Sequence, residues 1–218
     1  MRVACVGYRK WALDIYDHLA SETNHQFFII RSKEQYDENA LIDFKPDYVL
    51  FYGWSWMISE KIYNYFKSIM LHPSALPKYR GGSPIQNQIL DGLIESKITL
   101  FKVNDGVDTG DIYLQKKYSL EGTIEQIFDR FTTIGIELTL ELFSNESMPT
   151  PQINSESTYC KRRKACDSEI TIEELINKPG VYLYNKIRML GDPYPNAFFT
   201  TSDGKRLYFK DVRFSEDD

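Results

Sequence analysis

His72 and Asp108 are the side chains in this 218-residue sequence best suited to moving a proton near neutral pH. An imidazole titrates in that range, and a carboxylate beside it holds one tautomer and stabilises the charged ring. His72 opens His72-Pro73-Ser74, directly after the apolar run Ile69-Met70-Leu71, and Asp108 lies in the turn Asn104-Asp105-Gly106-Val107-Asp108-Thr109-Gly110. By residue type alone, a His beside a Pro is more often a structural hydrogen-bonder and Asp-x-Gly turns are common, so position must decide. Cys160 and Cys166 flank Lys161-Arg162-Arg163-Lys164 with no His nearby, a spacing unlike zinc ligands, and no metal is expected. The first strand ends on Gly7 alone, without G-x-G-x-x-G, so a dinucleotide is not expected either.

The elements that must position the pair alternate. Val3 to Val6 is a short β-rich run, Trp11, Leu13, Ile15, Tyr16 and Leu19 fall in a helical stretch, and Gln26 to Ile30 repeats the strand signal. Tyr48 to Tyr52 follows, then a helix-like Ser59 to Phe66 and the strand Ser68 to Leu71. This order predicts an α/β fold, Rossmann-like, with a mostly parallel sheet and helices on both faces. Ligands in such sheets gather beyond the carboxyl ends of the strands, which is where Gly53 to Ile58 and His72 fall.

Beyond His72, the Pro- and Gly-rich stretch from Ala75 to Pro84 predicts an irregular loop, with Ser83 capping a helix that has Pro84 at its first position. Strands are expected at Ile98 to Val103 and from Ile112 to Leu114. The pair Thr123 and Gln126 opens a long helix with Ile124, Ile127, Phe128, Phe131, Ile134, Leu138 and Leu142 on its core face. Asn145 to Ser157, rich in Ser, Pro and Asn, reads as a linker. A first domain over 1–150 is therefore expected, followed by a small C-terminal α+β extension over 151–218, with a helix from Tyr182 to Leu190 and a hairpin from Ala197 to Phe209.

Composition narrows the partners. A net charge of −5 leaves no overall basic surplus for a nucleic-acid backbone, and residues 151–218 balance 11 Lys+Arg against 11 Asp+Glu, so no nucleic acid is expected. Apolar runs are far shorter than the roughly 20 residues a membrane helix needs, so no membrane is expected. Three cysteines and an opening without signal-peptide character favour a cytoplasmic location.

LHPSALPKYRGGSPIQNQILDG followed by VNDGVDTGDI closely resembles the formyltransferases that draw their formyl group from N10-formyltetrahydrofolate. CKRRKACDSEI, YNKIRMLGDPYPNAFF and GKRLYF resemble the segment after the catalytic domain in sugar-nucleotide and tRNA members. The resemblance implies His72 as catalytic histidine with Asp108 as its acidic partner, and N10-formyltetrahydrofolate as cosubstrate. It implies a cofactor pocket between Trp56, Met57 and Ile58 on one side and Asn104, Asp105, Gly106, Val107 and Asp108 on the other. Ser74, Tyr79 and Arg80 are placed on the substrate side or in shaping the loop, Arg80 either pairing with a phosphate or bracing Asp105.

One position departs from the family's pattern: Met70 stands where an Asn two residues before the His polarises the formyl carbonyl, and a thioether donates no hydrogen bond. Asn87, Asn104 and the N–H groups of Gly81-Gly82 are the expected stand-ins, and a non-catalytic folate-binding relative is the alternative. The short neutral tail speaks against a tRNA-type acceptor and the single glycine after the first strand against glycinamide ribonucleotide, which leaves a nucleotide-linked amino sugar, formylated for surface polysaccharide. A homodimer through the C-terminal subdomain is implied by the short-tailed members.

Overall fold

The computed structural model describes residues 1–145, 148–191, 194–213 and 215. Asp192 and Pro193 of the quoted tail motif, and Glu146 and Ser147 of the expected linker, lie outside the described residues. In chain order the elements are β1 (Arg2–Val6), α1 (Lys10–Glu22), β2 (Gln26–Ile30), α2 (Glu38–Phe44), β3 (Tyr48–Leu50), α3 (Glu60–Tyr63), β4 (Lys67–His72), β5 (Arg80–Gly81) and α4 (Pro84–Leu90). There follow β6 (Glu95–Lys102), β7 (Ile112–Ser119), α5 (Ile124–Ser144), β8 (Tyr159–Cys160), α6 (Ile172–Asn177), α7 (Gly180–Arg188), β9 (Ala197–Thr200) and β10 (Arg206–Phe209).

The main sheet has the order β2-β1-β3-β4-β6-β7. Its first four strands pair in parallel, and β6 then runs antiparallel to both β4 and β7, so the sheet is mixed but mostly parallel. Side chains alternate between its faces. Val3, Cys5, Leu50, Ile69 and Leu71 meet Ile15, Tyr16 and Leu19 of α1 and Ile127, Phe131 and Leu138 of α5. Ala4, Val6, Val49 and Phe51 meet Leu41 of α2 and Ile62 of α3 on the other side. Gly135 lets α5 lie close: a Cβ there would stand 2.7 Å from Ile15 Cδ1 and 2.9 Å from Leu71 Cδ2.

The predicted capping box is present, Thr123 Oγ1 accepting from the Gln126 N–H while Gln126 Oε1 accepts from the Thr123 N–H. The predicted cap at Ser83 is not. Ser83 has φ 52°, which turns its hydroxyl away from the helix, and its Oγ accepts instead from the Arg163 N–H at 3.1 Å. Pro84 does occupy the first turn of α4.

The stretch read as a linker is part of the packed structure. Thr150 and Ile112 exchange two backbone hydrogen bonds of 2.8 Å, and β8 pairs in parallel with β5, tying residues after 150 to the loop after β4. The predicted helix and hairpin of the tail are formed by α7 and by β9 with β10. Ile170, Ile187, Met189, Leu190 and Ala197 join the same apolar cluster as the sheet residues, so the tail has its core in common with the rest. Among the described residues no helix is long and apolar enough to cross a membrane.

Candidate functional site

His72 ends β4, opposite Thr99 of β6, and is buried. Tyr79 takes a left-handed φ of 58°, and its carbonyl accepts a hydrogen bond of 2.8 Å from His72 Nε2. A carbonyl only accepts, so Nε2 carries a proton and Nδ1 is the ring atom left for chemistry. Nδ1 lies 3.5 Å from Asp108 Oδ2. The tautomer is thus set by the Tyr79 carbonyl, while Asp108 places a carboxyl group beside the other ring nitrogen.

The turn that carries Asp108 is held from several directions. Asp108 itself has φ 53°, and its Oδ2 accepts the Gly81 N–H at 2.7 Å. Asn104 Oδ1 closes the turn by accepting from the Gly106 N–H and the Thr109 hydroxyl. Gly110 is required by contact, since a Cβ there would fall 1.6 Å from the Lys102 carbonyl oxygen. Gln152, inside the stretch read as a linker, donates through Nε2 to the carbonyls of Asp108 at 3.0 Å and Gly110 at 2.7 Å. Its Oε1 accepts from Arg80 Nε at 3.1 Å and Nη2 at 2.6 Å. Nothing in the sequence marks Gln152: a glutamine among Pro, Ser and Asn has no periodicity or motif to reveal it.

The sequence leaves two places open for Ser74, Tyr79 and Arg80, the substrate side or the loop, and their hydrogen bonds lie within the loop and its neighbours. Arg80 is 1% exposed and gives its remaining donors to Tyr159 Oη and Asn154 Oδ1, both at 3.0 Å, so it neither reaches for a phosphate nor braces Asp105. Ser74 is fully buried and donates to the Lys78 carbonyl at 2.7 Å. Tyr79 Oη donates to Asp91 Oδ2 at 2.8 Å, and burial together with that carboxylate pushes its pKa up to about 12, so it stays a neutral donor.

His72, Met70 and Asp108 open into a cleft of about 600 Å³, a size that encloses small organic ligands. Trp54, Trp56, Met57 and Ile58 form one wall and Asn104 to Asp108 the other. Trp56 packs against Trp54 at 4.6 Å and Tyr8 at 5.0 Å between ring centres, while Ile58 is buried and Met57 largely exposed. An apolar aromatic wall facing a polar turn fits a flat heterocycle with hydrogen-bonding edges. Arg9, Arg162 and Arg163 also line the cleft, and Lys33 lies over the Trp56 ring. The basic run read as a solvated turn is brought there because Gly82 has no side chain; a Cβ would sit 2.5 Å from Arg162 Cα.

Most of the expected stand-ins for an amide at position 70 are already committed. Asn87 Nδ2 donates to the Gly82 and Ser83 carbonyls, the Gly81 N–H to Asp108, and the Gly82 N–H to the Cys160 carbonyl. Asn104 spends its oxygen within its own turn.

The sequence pattern of the family described as Formyl transferase matches residues 6–141. A methionyl-tRNA formyltransferase from Lachnospira eligens is 34% identical over 190 residues, covering 84% of this chain and 58% of that protein. The solved methionyl-tRNA formyltransferase from Clostridium thermocellum is 32% identical with a TM-score of 0.89, covering 99% of this chain and 94% of that one. The sugar 3N-formyl transferase WlaRD matches with a TM-score of 0.69 over 90% of this chain and 81% of that one, at 20% identity, a likeness of fold alone. The chain spans between 56% and 58% of the length of the first curated relatives it matches.

These relatives overturn two expectations, the amino-sugar acceptor and the absence of a nucleic-acid partner. The first rested on a short tail, yet the Clostridium thermocellum chain has nearly the same extent. The second rested on net charge, an average that conceals arginines gathered at one cleft.

Proposed function

The chain belongs to the formyl transferase family, and on that premise we propose that it transfers a formyl group from N10-formyltetrahydrofolate to the amino group of methionyl-tRNA. The observation that carries the acceptor is the likeness, at 32% identity, along nearly the whole of the Clostridium thermocellum methionyl-tRNA formyltransferase. The His72–Asp108 pair at the floor of the cleft supports the chemistry.

When bound, N10-formyltetrahydrofolate supplies an activated formyl carbonyl. Trp56, Met57 and Ile58 face its ring system from the apolar wall, and Asn104, Asp105, Gly106, Val107 and Asp108 offer backbone groups from the other. His72 Nδ1 takes a proton from the acceptor nitrogen as that nitrogen bonds to carbon, and returns it to the nitrogen that leaves. Asp108 stabilises the imidazolium in between, and such proton transfer contributes about 10²–10⁴ in rate. Arg9, Arg162 and Arg163 meet phosphates of the incoming acceptor strand, fixing its register without reading its sequence.

The test is an assay with charged methionyl-tRNA and formyl-folate, read by mass for formyl-methionine on the tRNA. Wild type is expected to make the product and His72→Ala to lose about 10²-fold or more in kcat. Wild type that binds the folate yet leaves methionyl-tRNA unmodified would refute this function.

A further inference from the structure

We propose that the side-chain amide of Gln86 donates the hydrogen bond that stabilises the formyl oxygen during transfer, serving the place where Met70 offers no donor. The inference rests on the transfer reaction above and adds a catalytic residue to it.

Gln86 lies on α4, is 1% exposed, and its Nε2 has no hydrogen-bond partner among the described residues. Buried amide donors are nearly always satisfied, because leaving one unpaired costs folding free energy, and an exception that faces a cleft calls for a partner there. Gln86 lines the same cleft as Met70 and His72, which share one face of β4. The two amides beside it in sequence are spent: Asn87 on the carbonyls of Gly82 and Ser83, Gln88 on those of Pro73 and Pro84. The bond from Gln88 to Pro73, at 2.8 Å, ties α4, and Gln86 with it, to the residue after His72. Trp54 Nε1 is also unpartnered in the cleft, but it belongs to the aromatic wall, packed against Tyr36 and Trp56.

In the step, the acceptor's lone pair forms the new C–N bond while the carbonyl π pair moves onto oxygen, where the Gln86 N–H meets it. The oxygen's pair then re-forms the carbonyl, the bond from carbon to the folate nitrogen breaks, and that nitrogen takes the proton carried by His72. The N-formylated acceptor and tetrahydrofolate are the products, the acceptor's proton having passed through His72 to the leaving nitrogen.

The test uses Gln86→Met, which keeps length and removes the donor. Its kcat should fall about 10²–10³-fold, as when an oxyanion donor is removed elsewhere, with KM for the acceptor within about threefold and KM for the formyl-folate rising by about three- to tenfold. Its Tm should hold or rise, because an unpaired buried donor has been deleted. Calorimetric titration gives a readout apart from turnover: wild type should prefer formylated folate over tetrahydrofolate by about three- to tenfold, the worth of one hydrogen bond, and Gln86→Met should lose that preference. Met70→Asn added to Gln86→Met should restore at least a tenfold gain in kcat. A variant turning over within threefold of wild type, or one whose Tm falls, would overturn the role of Gln86 while leaving the transfer reaction standing. Wild type that transfers nothing to methionyl-tRNA would overturn both.

Discussion

At the scale of single residues, the candidate site depends on side chains that do not line its cleft. Arg80 is a buried cation whose described partners are neutral, and Gln152 links it to the carbonyls of Asp108 and Gly110. Gln152→Ala would strip Arg80 of an acceptor and free the turn, so we expect a loss of about 2–3 kcal/mol in denaturant melts. We expect kcat to fall about tenfold as Asp108 drifts from His72; unchanged stability with unchanged kcat would show that Gln152 does not hold the turn. His72 and Asp108 were legible in the sequence because their chemistry is carried by their own side chains within distinctive words. Gln152 was not, because its work is done on backbone carbonyls, which any sequence supplies. The partners of Arg80 were not legible for a related reason: the partner of a charge is chosen by the fold, and here the partners come from residues 152–159.

At the scale of elements, apolar periodicity marked the six strands of the main sheet and α5, though not the two-residue strands β5 and β8, and the helix cap at Thr123 followed from local rules that involve neighbours alone. Ser83 failed the same rules because the left-handed turn that brings it to Arg163 is imposed from outside its own helix. The pair of short helices in the tail is pinned by Lys186, 6% exposed, whose ammonium lies 2.7 Å from Glu174. Burial works against the Glu174 carboxylate, but Lys186, the Thr171 N–H and the Tyr182 hydroxyl outweigh it and hold its pKa below the ordinary 4.5. A lowered folded-state value stabilises above the unfolded one, so the contribution is complete above pH 4.5 and is lost as pH falls through the folded-state value. Glu174→Gln, leaving a buried ammonium without its counter-charge and with the Glu169 carbonyl as acceptor, should cost about 3 kcal/mol near neutrality. Urea melts at stepped pH should show the gap between variant and wild type closing in acid, and a gap independent of pH would rule the ion pair out.

At the scale of the whole molecule, net charge misled because binding responds to where charges stand. Arg9, Arg162 and Arg163 come from opposite ends of the chain to one cleft in a protein of net charge −5. If they meet acceptor phosphates, KM for methionyl-tRNA should rise with salt, and Arg162→Ala should lower the slope of log KM against log salt by about 0.7, the single-strand value per contact. An unaltered slope would place Arg162 outside the acceptor's path. The fold class was legible because alternation of strand and helix is a property of the whole chain; the packed course of residues 145–160 was not, because polar, Pro-rich sequence looks the same whether solvated or pinned. That pinning has a consequence in time. Asp108 is held by a side chain 44 residues downstream, and at synthesis rates of roughly 5–20 residues per second that support arrives seconds after the turn itself. A nascent chain therefore carries its histidine and its aspartate before it carries the means to hold them together, and the turn is secured only once Gln152 has been made and has folded back.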